Sequence, residues 1–183
     1  MADLATFIER LGTAIVWGEA CSTTVAGGYT TTNTLSLDAL ADGSGRMGAE
    51  VDLGADHAEE YLVQGAIETG TAPTAGLTFD YYLAWSGDGT NYPAGVTGSD
   101  GAWPADGNED EWKLQLGAPV TSVVATNDGT TIEIQNAVRV RCKGRYVAPV
   151  ADNNLGQALR DEATASNNGS GLVMWPIQRV ATG

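Results

Sequence analysis

The sequence predicts an all-β fold, an antiparallel β-sandwich preceded by a short N-terminal helical segment or arm. Three observations point there. From Ala14 onward, short apolar or alternating runs are separated by Gly/Asp/Asn/Thr clusters at the spacing of a sandwich. Leu77, Phe79, Tyr81, Leu83 and Trp85 alternate with Thr78, Asp80, Tyr82, Ala84 and Ser86, so one face of one strand carries five large apolar side chains. Near the N-terminus, by contrast, Leu4, Phe7, Ile8 and Leu11 fall at i, i+3, i+4 and i+7, a helical period that Gly12 ends. A length of 183 residues fits one domain. The expected division is an amphipathic arm over 1–13 and a single sandwich over 14–183.

Taken in order, residues 3–11 read as two turns of helix, too short to stand alone and needing something to dock on. Strands are expected at 14–18, 30–37, 46–53, 59–68, 77–86, 111–116, 119–126, 131–135, 137–143, 145–151 and 171–178. Met47, Ala49, Val51 and Leu53 form a dry face, with Glu50 and Asp52 outward. Ile132 and Ile134 alternate with Glu133 and Gln135 in the same way. The strand over 77–86 is expected at the centre of the core, its second face wet. The stretch from Ser86 to Asp110 is rich in glycine and too long for an idle hairpin loop, which marks it as a place for contacts. TNDGT at 126–130 signals a hairpin. Residues 155–163 form either a short helix or an exposed loop.

Composition excludes several functions. Twenty-three acidic and 9 basic residues leave a net charge of -14, which opposes nucleic-acid binding. One histidine and two cysteines nearly exclude a Cys/His zinc site. No apolar run approaches the ~18 residues of a membrane span. Asp3 and Glu9 interrupt the opening residues, which do not read as a secretory signal. Synthesis in a cytoplasm is therefore expected, with Cys21 and Cys142 as buried free thiols rather than a disulfide.

Candidate chemistry is sparse, and no enzyme is expected. His57 would have to serve any Ser-His or Cys-His arrangement, yet it sits in a turn, GADHAEE, with no nucleophile elbow in the chain. Acidic pairs such as Glu59/Glu60 and Asp161/Glu162 read as solvated surface. Asp106, Asn108 and Asp110 match the first spacings of an EF-hand loop, but Glu111 stands where glycine is required and Gly117 where glutamate is. No cofactor is expected, a looser Ca²⁺ site within 100–111 being the alternative left open. Arg139, Arg141, Lys143 and Arg145 form a basic stripe that shares one face if 137–145 stays extended, with Gly144 as the place where the run could break. Acidic partners on adjacent strands are the preferred reading, contact with another protein the second. Tyr92, Trp103 and Trp112 lie in or beside the long stretch. They could stack on a sugar, anchor a protein interface or fold back onto their own sheet.

Three segments together resemble phage virion proteins of the capsid decoration, or cement, type. They are LSLDALADGSGRMGAEVDLG at 35–54, EEYLVQGAIETGTAPTAGLTFDYYLAWSGDGTNYPAG at 59–95 and GRYVAPVADNNLGQAL at 144–159. Together they span about half the chain, and what they share is strand-and-turn patterning. The resemblance implies a jelly-roll-like sandwich on the exterior of a double-stranded DNA phage head. Such a protein binds across neighbouring major capsid protein subunits, as a dimer or trimer, and stabilises the shell, without an active site, nucleic acid or membrane. The residues expected at protein contacts are Leu4, Phe7, Ile8, Leu11, Tyr92, Trp103, Trp112, Arg139, Arg141, Lys143 and Arg145. The alternative is a carbohydrate- or receptor-binding sandwich of a phage fibre or tail. A glycan hydrolase with two carboxylates comes third.

Overall fold

The fold is one long hairpin rolled into two sheets. The computed structural model describes residues 6–19, 28–104, 109–126, 132–161 and 169–182. Its elements in chain order are β1 (Thr6–Leu11), β2 (Ile15–Gly18), β3 (Asn33–Thr34), β4 (Ser44–Met47), β5 (Val51–Asp52), β6 (Glu60–Ile67) and β7 (Thr78–Ser86). There follow β8 (Gly101–Trp103), α1 (Glu109–Leu116), β9 (Thr121–Val124), β10 (Glu133–Ile134), β11 (Val138–Arg141), β12 (Tyr146–Asn154) and β13 (Gly171–Thr182). The pairs are nested and antiparallel: β7 with β9, β6 with β10 and β11, β4 and β5 with β12, and β2 with β13. Successive pairs alternate between the sheets. One sheet runs β10/β11–β6–β13–β2–β3, and the other β8–β4–β12–β7–β9. This rolled-up connectivity is that of a jelly-roll-like sandwich.

The core lies between the sheets. Trp17, Leu172, Met174, Tyr61 and Val63 of the first sheet meet Phe79, Tyr81, Leu83 and Val147 of the second. Trp17 is sealed in, its indole N–H donating to the Ala49 carbonyl at 2.8 Å. The alternation expected along β7 holds for Phe79, Tyr81 and Leu83. Leu77 departs from it: it stands 40% exposed, just before the strand.

The wet face expected for β7 is corrected. Tyr82, Ala84 and Ser86 are buried as well. The excursion between β7 and β9 folds back over the outside of the second sheet. It forms a second apolar layer of Met47, Tyr82, Ala84, Ala94, Val96, Trp103, Ala148 and Val150. The near-continuous apolar run VAPVA at 147–151 carries the same signal, since a strand covered on both faces loses its alternation.

Five further expectations change. Residues 6–11 are a strand, not a helix: β1 pairs with the far half of β13, from Thr6 opposite Thr182 to Leu11 opposite Ile177. Six residues gain a full ladder there, whereas two turns of isolated helix nucleate poorly. The strand expected at 111–116 is α1. Glu109, Asp110 and Glu111 fill its first turn and Lys113 lies in its last, both matching the helix dipole. Gly117, at φ +84°, donates its N–H to the Lys113 carbonyl at 2.9 Å and closes the helix in a left-handed cap. Residues 155–161 form no helix. Leu155 and Leu159 plug the core, and Leu159 bridges Thr69. The strand expected over 30–37 shrinks to β3, and that over 46–53 splits into β4 and β5 around Gly48–Glu50. Most of the turn expected at 126–130 lies outside the described residues.

Candidate functional site

The first candidate surface is a two-stranded ribbon. Gly171–Pro176 of β13 lies between β2 and β6, but Ile177–Thr182 has β1 as its lateral partner. Beyond the sheet, therefore, β1 and the end of β13 run on together. Between β2 and β1, residues 12–14 oppose 175–176, one residue more than the partner, a bulge that re-aims the ribbon. A lone pair of strands is marginal in water. Here a chain of ion pairs ties it back to the body. Arg139 Nη2 lies 2.7 Å from Glu9 Oε2, and both Arg139 Nη1 and Arg179 Nη2 lie 3.2 Å from Glu60 Oε2. The hydrogen bond from Arg139 lowers the Glu9 carboxyl below its ordinary range. One face of the ribbon presents Ile8 opposite Val180, exposed by 36% and 38%, and Leu11 on the other face is 54% exposed. Leu4 lies outside the described residues. Phe7 is placed within β1.

A groove of about 660 Å³ runs under the ribbon's root. Ile15, Val51, Leu53 and Ile177 supply apolar walls, and Asp56 and Glu59 an acidic rim. His57 lines it with Nδ1 2.8 Å from the Gly54 carbonyl oxygen, a local turn contact. Tyr61, whose ring reaches the groove, has its phenol pushed up to about 12, chiefly by burial.

The loop aromatics lie against the second sheet, Trp103 buried and Tyr92 and Trp112 half-buried. Trp103 is 2% exposed, with its indole N–H bonded to the Ala94 carbonyl at 2.9 Å. Trp112 packs against it, ring centroids 6.3 Å apart. The Tyr92 hydroxyl donates to Glu50 Oε2 at 2.5 Å. Of the three roles open to them, folding back onto their own sheet is the one seen. Trp103 is thereby enclosed in the second apolar layer, while Tyr92 and Trp112 pack against that layer and stay half-buried.

The basic stripe divides. Arg139 is matched as above. Arg145 grips both oxygens of Asp52, Nε–Oδ1 at 2.7 Å and Nη2–Oδ2 at 2.5 Å, with its guanidinium 5.1 Å from the Tyr146 ring. Arg141 and Lys143 are exposed, and neither has an ion-pair partner among the described residues. Intramolecular matching thus accounts for half of the stripe.

Asp106 and Asn108 lie outside the described residues, and Asp100 is held by Arg46 and by the Ser36 amide. Among the described residues no group of three or more His, Cys, Asp or Glu side chains converges as metal ligands. Cys142 is half-buried and reduced, its thiol donating to the Gly144 carbonyl at 3.1 Å and pushed up in pKa by burial. Cys21 lies outside the described residues. No helix among them is long and apolar enough to cross a membrane.

Two carboxyls give these pairs a pH signature. The Arg145 hydrogen bond and the Gly54 amide lower Asp52 from 3.8 to about 2. Burial works to raise Asp100, but the Arg46 guanidinium and the Ser36 amide outweigh it, so its pKa is lowered too. Folded values below unfolded ones stabilise fully above about pH 4, and that contribution is lost as pH falls toward about 2. Thermal melts over this window should fall steadily for the natural chain and less steeply for Asp52→Asn/Asp100→Asn. An identical slope in both would show that the two pairs carry no such linkage.

Comparison with protein-family models, with curated proteins and with solved structures finds no match to this chain.

The ribbon is what sequence reasoning missed. Its signal was present, since TFIERL mixes β-branched and aromatic residues and QRVAT continues the last strand past the expected end at 178. The partner, 166 to 176 residues away along the chain, is what a local period cannot name.

Proposed function

We propose that the chain is a structural virion protein. It docks on the outer surface of a phage capsid across neighbouring major capsid protein subunits, as a dimer or trimer, and stabilises the shell after synthesis in the host cytoplasm. The observation that carries this reading is the β1–β13 ribbon. A shell-reinforcing protein needs a stiff body and a contact element that reaches past it. The sandwich supplies the first, and the ribbon, pinned by Glu9, Arg139, Glu60 and Arg179, supplies the second. Covering the exposed parts of Ile8, Leu11 and Val180 is worth of order 1 kcal/mol each. That is weak for one copy but strong for linked copies on a lattice, where each further contact is effectively intramolecular. The resemblance of the three segments at 35–54, 59–95 and 144–159 to decoration proteins is the further support for this reading. Net negative charge keeps the free protein soluble before docking. The carbohydrate- or receptor-binding alternative drew on exposed loop aromatics, of which Trp103 is enclosed and the Tyr92 hydroxyl is bound to Glu50.

The test is co-sedimentation with decoration-free heads of the cognate phage. Saturable binding with symmetry-related copy numbers is expected. Ile8→Thr/Val180→Thr should weaken it about tenfold or more, with the melting temperature nearly unchanged because threonine keeps the β-branching at two exposed strand positions. Absence of binding to heads would overturn the capsid reading. Full binding by the double variant would remove the ribbon from the contact.

A further inference from the structure

We propose that β11 is an acceptor edge for an extended acidic segment of a partner protein, a segment that alternates carboxylates with apolar side chains. The inference concerns the chemistry of the segment and stands apart from the capsid reading. Its first basis is the ladder. β11 pairs with β6 on one side, and among the described residues no strand lies on the other. The Cys142 N–H donates to the Glu59 carbonyl at 2.8 Å. Together with the register Val140 opposite Tyr61 and Val138 opposite Val63, this sets the phase. The amides of Val138, Val140 and Cys142 turn toward β6, and the N–H and C=O groups of Arg139 and Arg141 face outward, ready for another strand.

The second basis is charge. Glu60 lies directly opposite Arg141 in the register, yet its carboxylate is taken by Arg139 and Arg179. Among the described residues Arg141 and Lys143 have no ion-pair partner, on a chain of net charge -14. The third basis is a groove of about 270 Å³ between the sheets at this edge, walled by Leu83, Trp85, Val120, Val138 and Val140, with Arg141 and Lys143 at its mouth. An added strand would place every second side chain toward this groove and the others beside the cations. Apolar residues suit the first set and carboxylates the second. A second copy of β11 does not suit the edge. Antiparallel self-pairing would set arginines against arginines, an arrangement that blocks edge-to-edge association.

The probe is a capped synthetic peptide that alternates Glu with Val and Thr, titrated into the full chain by fluorescence anisotropy, with amide exchange followed in parallel. Saturable binding is expected, weakening steeply as salt is raised. Exchange at the Arg139 and Arg141 amides should slow on binding. Arg141→Glu/Lys143→Glu should weaken binding about tenfold or more, and Arg141→Gln/Lys143→Gln by less, with both variants melting near the natural chain. A peptide carrying Lys in place of Glu should not bind. Equal binding by the Lys peptide, indifference to the double variants, or binding without protection of the Arg139 and Arg141 amides would each overturn the proposal. So would absence of binding at millimolar peptide.

Discussion

Replacing Trp103 with alanine is expected to cost about 3–5 kcal/mol of stability, the range for deleting a large, fully enclosed aromatic side chain. The indole is the keystone of the layer that covers the outside of the second sheet. It touches Trp112 on one side and the Met47–Val150 surface on the other, and its N–H satisfies the Ala94 carbonyl. Packing beneath it is tight enough to dictate the neighbouring residue. A Cβ at Gly45 would lie 2.3 Å from the Trp103 carbonyl oxygen and 2.8 Å from its ring. That closeness also means the cavity cannot collapse easily, because β4 and β8 are already held by their ladder. For a chain of this size the loss corresponds to a fall in melting temperature of roughly 10 °C. Amide exchange should show the damage centred on β8, α1 and the stretch joining them to β7. A melting temperature within a few degrees of the natural chain would mean that this layer is a loose cover rather than part of the cooperative unit.

Lys113→Met should be the most damaging change at a surface-reaching side chain, at about 3 kcal/mol. Lys113 reaches from α1 to the Asp152 carboxylate of β12, Nζ–Oδ2 at 2.6 Å, and that carboxylate is 1% exposed. Asn154 donates to the same oxygen at 2.6 Å, and Asp80 stands opposite Asp152 in the register. Methionine keeps the aliphatic stem but removes the cation, leaving an enclosed negative charge beside a second carboxylate. Asp152→Asn in the same chain should restore much of the loss, because the charge that needed neutralising is gone. Leu114→Ser, one residue on and 83% exposed, should be close to neutral. Chemical denaturation of the natural chain, Lys113→Met, Asp152→Asn and the double variant decides the matter. Additive losses in Lys113→Met/Asp152→Asn would show that the pair is not coupled.

Much of the sandwich could be read from residue order. The alternation of Phe79, Tyr81 and Leu83, the enclosed Trp17 and the turn-rich spacing are local features, and strand formation follows them closely. The short elements were harder. EDEWKLQL reads as a strand by its apolar content, yet its acidic start, Lys113 and the Gly117 cap make a helix once the second sheet offers a face to lie on. Likewise Leu4, Phe7, Ile8 and Leu11 carry a true helical period, overridden because β13 runs past β6 and leaves an open edge.

The same division separates the site residues. Sequence alone determined the all-β class and the acidic balance, and it grouped four basic residues in one run, which the fold breaks because β11 ends at Arg141 and the chain bends at Gly144 and Arg145 toward the second sheet. Sequence could not divide that stripe, because whether an arginine is matched depends on which carboxylate the fold delivers to it. Glu9, 130 positions from Arg139, and Asp52, 93 from Arg145, arrive only when the hairpin has rolled up. Nor could it tell that Trp103 faces inward, since a loop aromatic is buried or exposed according to the surface it meets. Hydrophobic period is a property of neighbours in the chain. Burial, ion pairing and free edges are properties of neighbours in space, and in a nested sandwich nearly all of those come from far away.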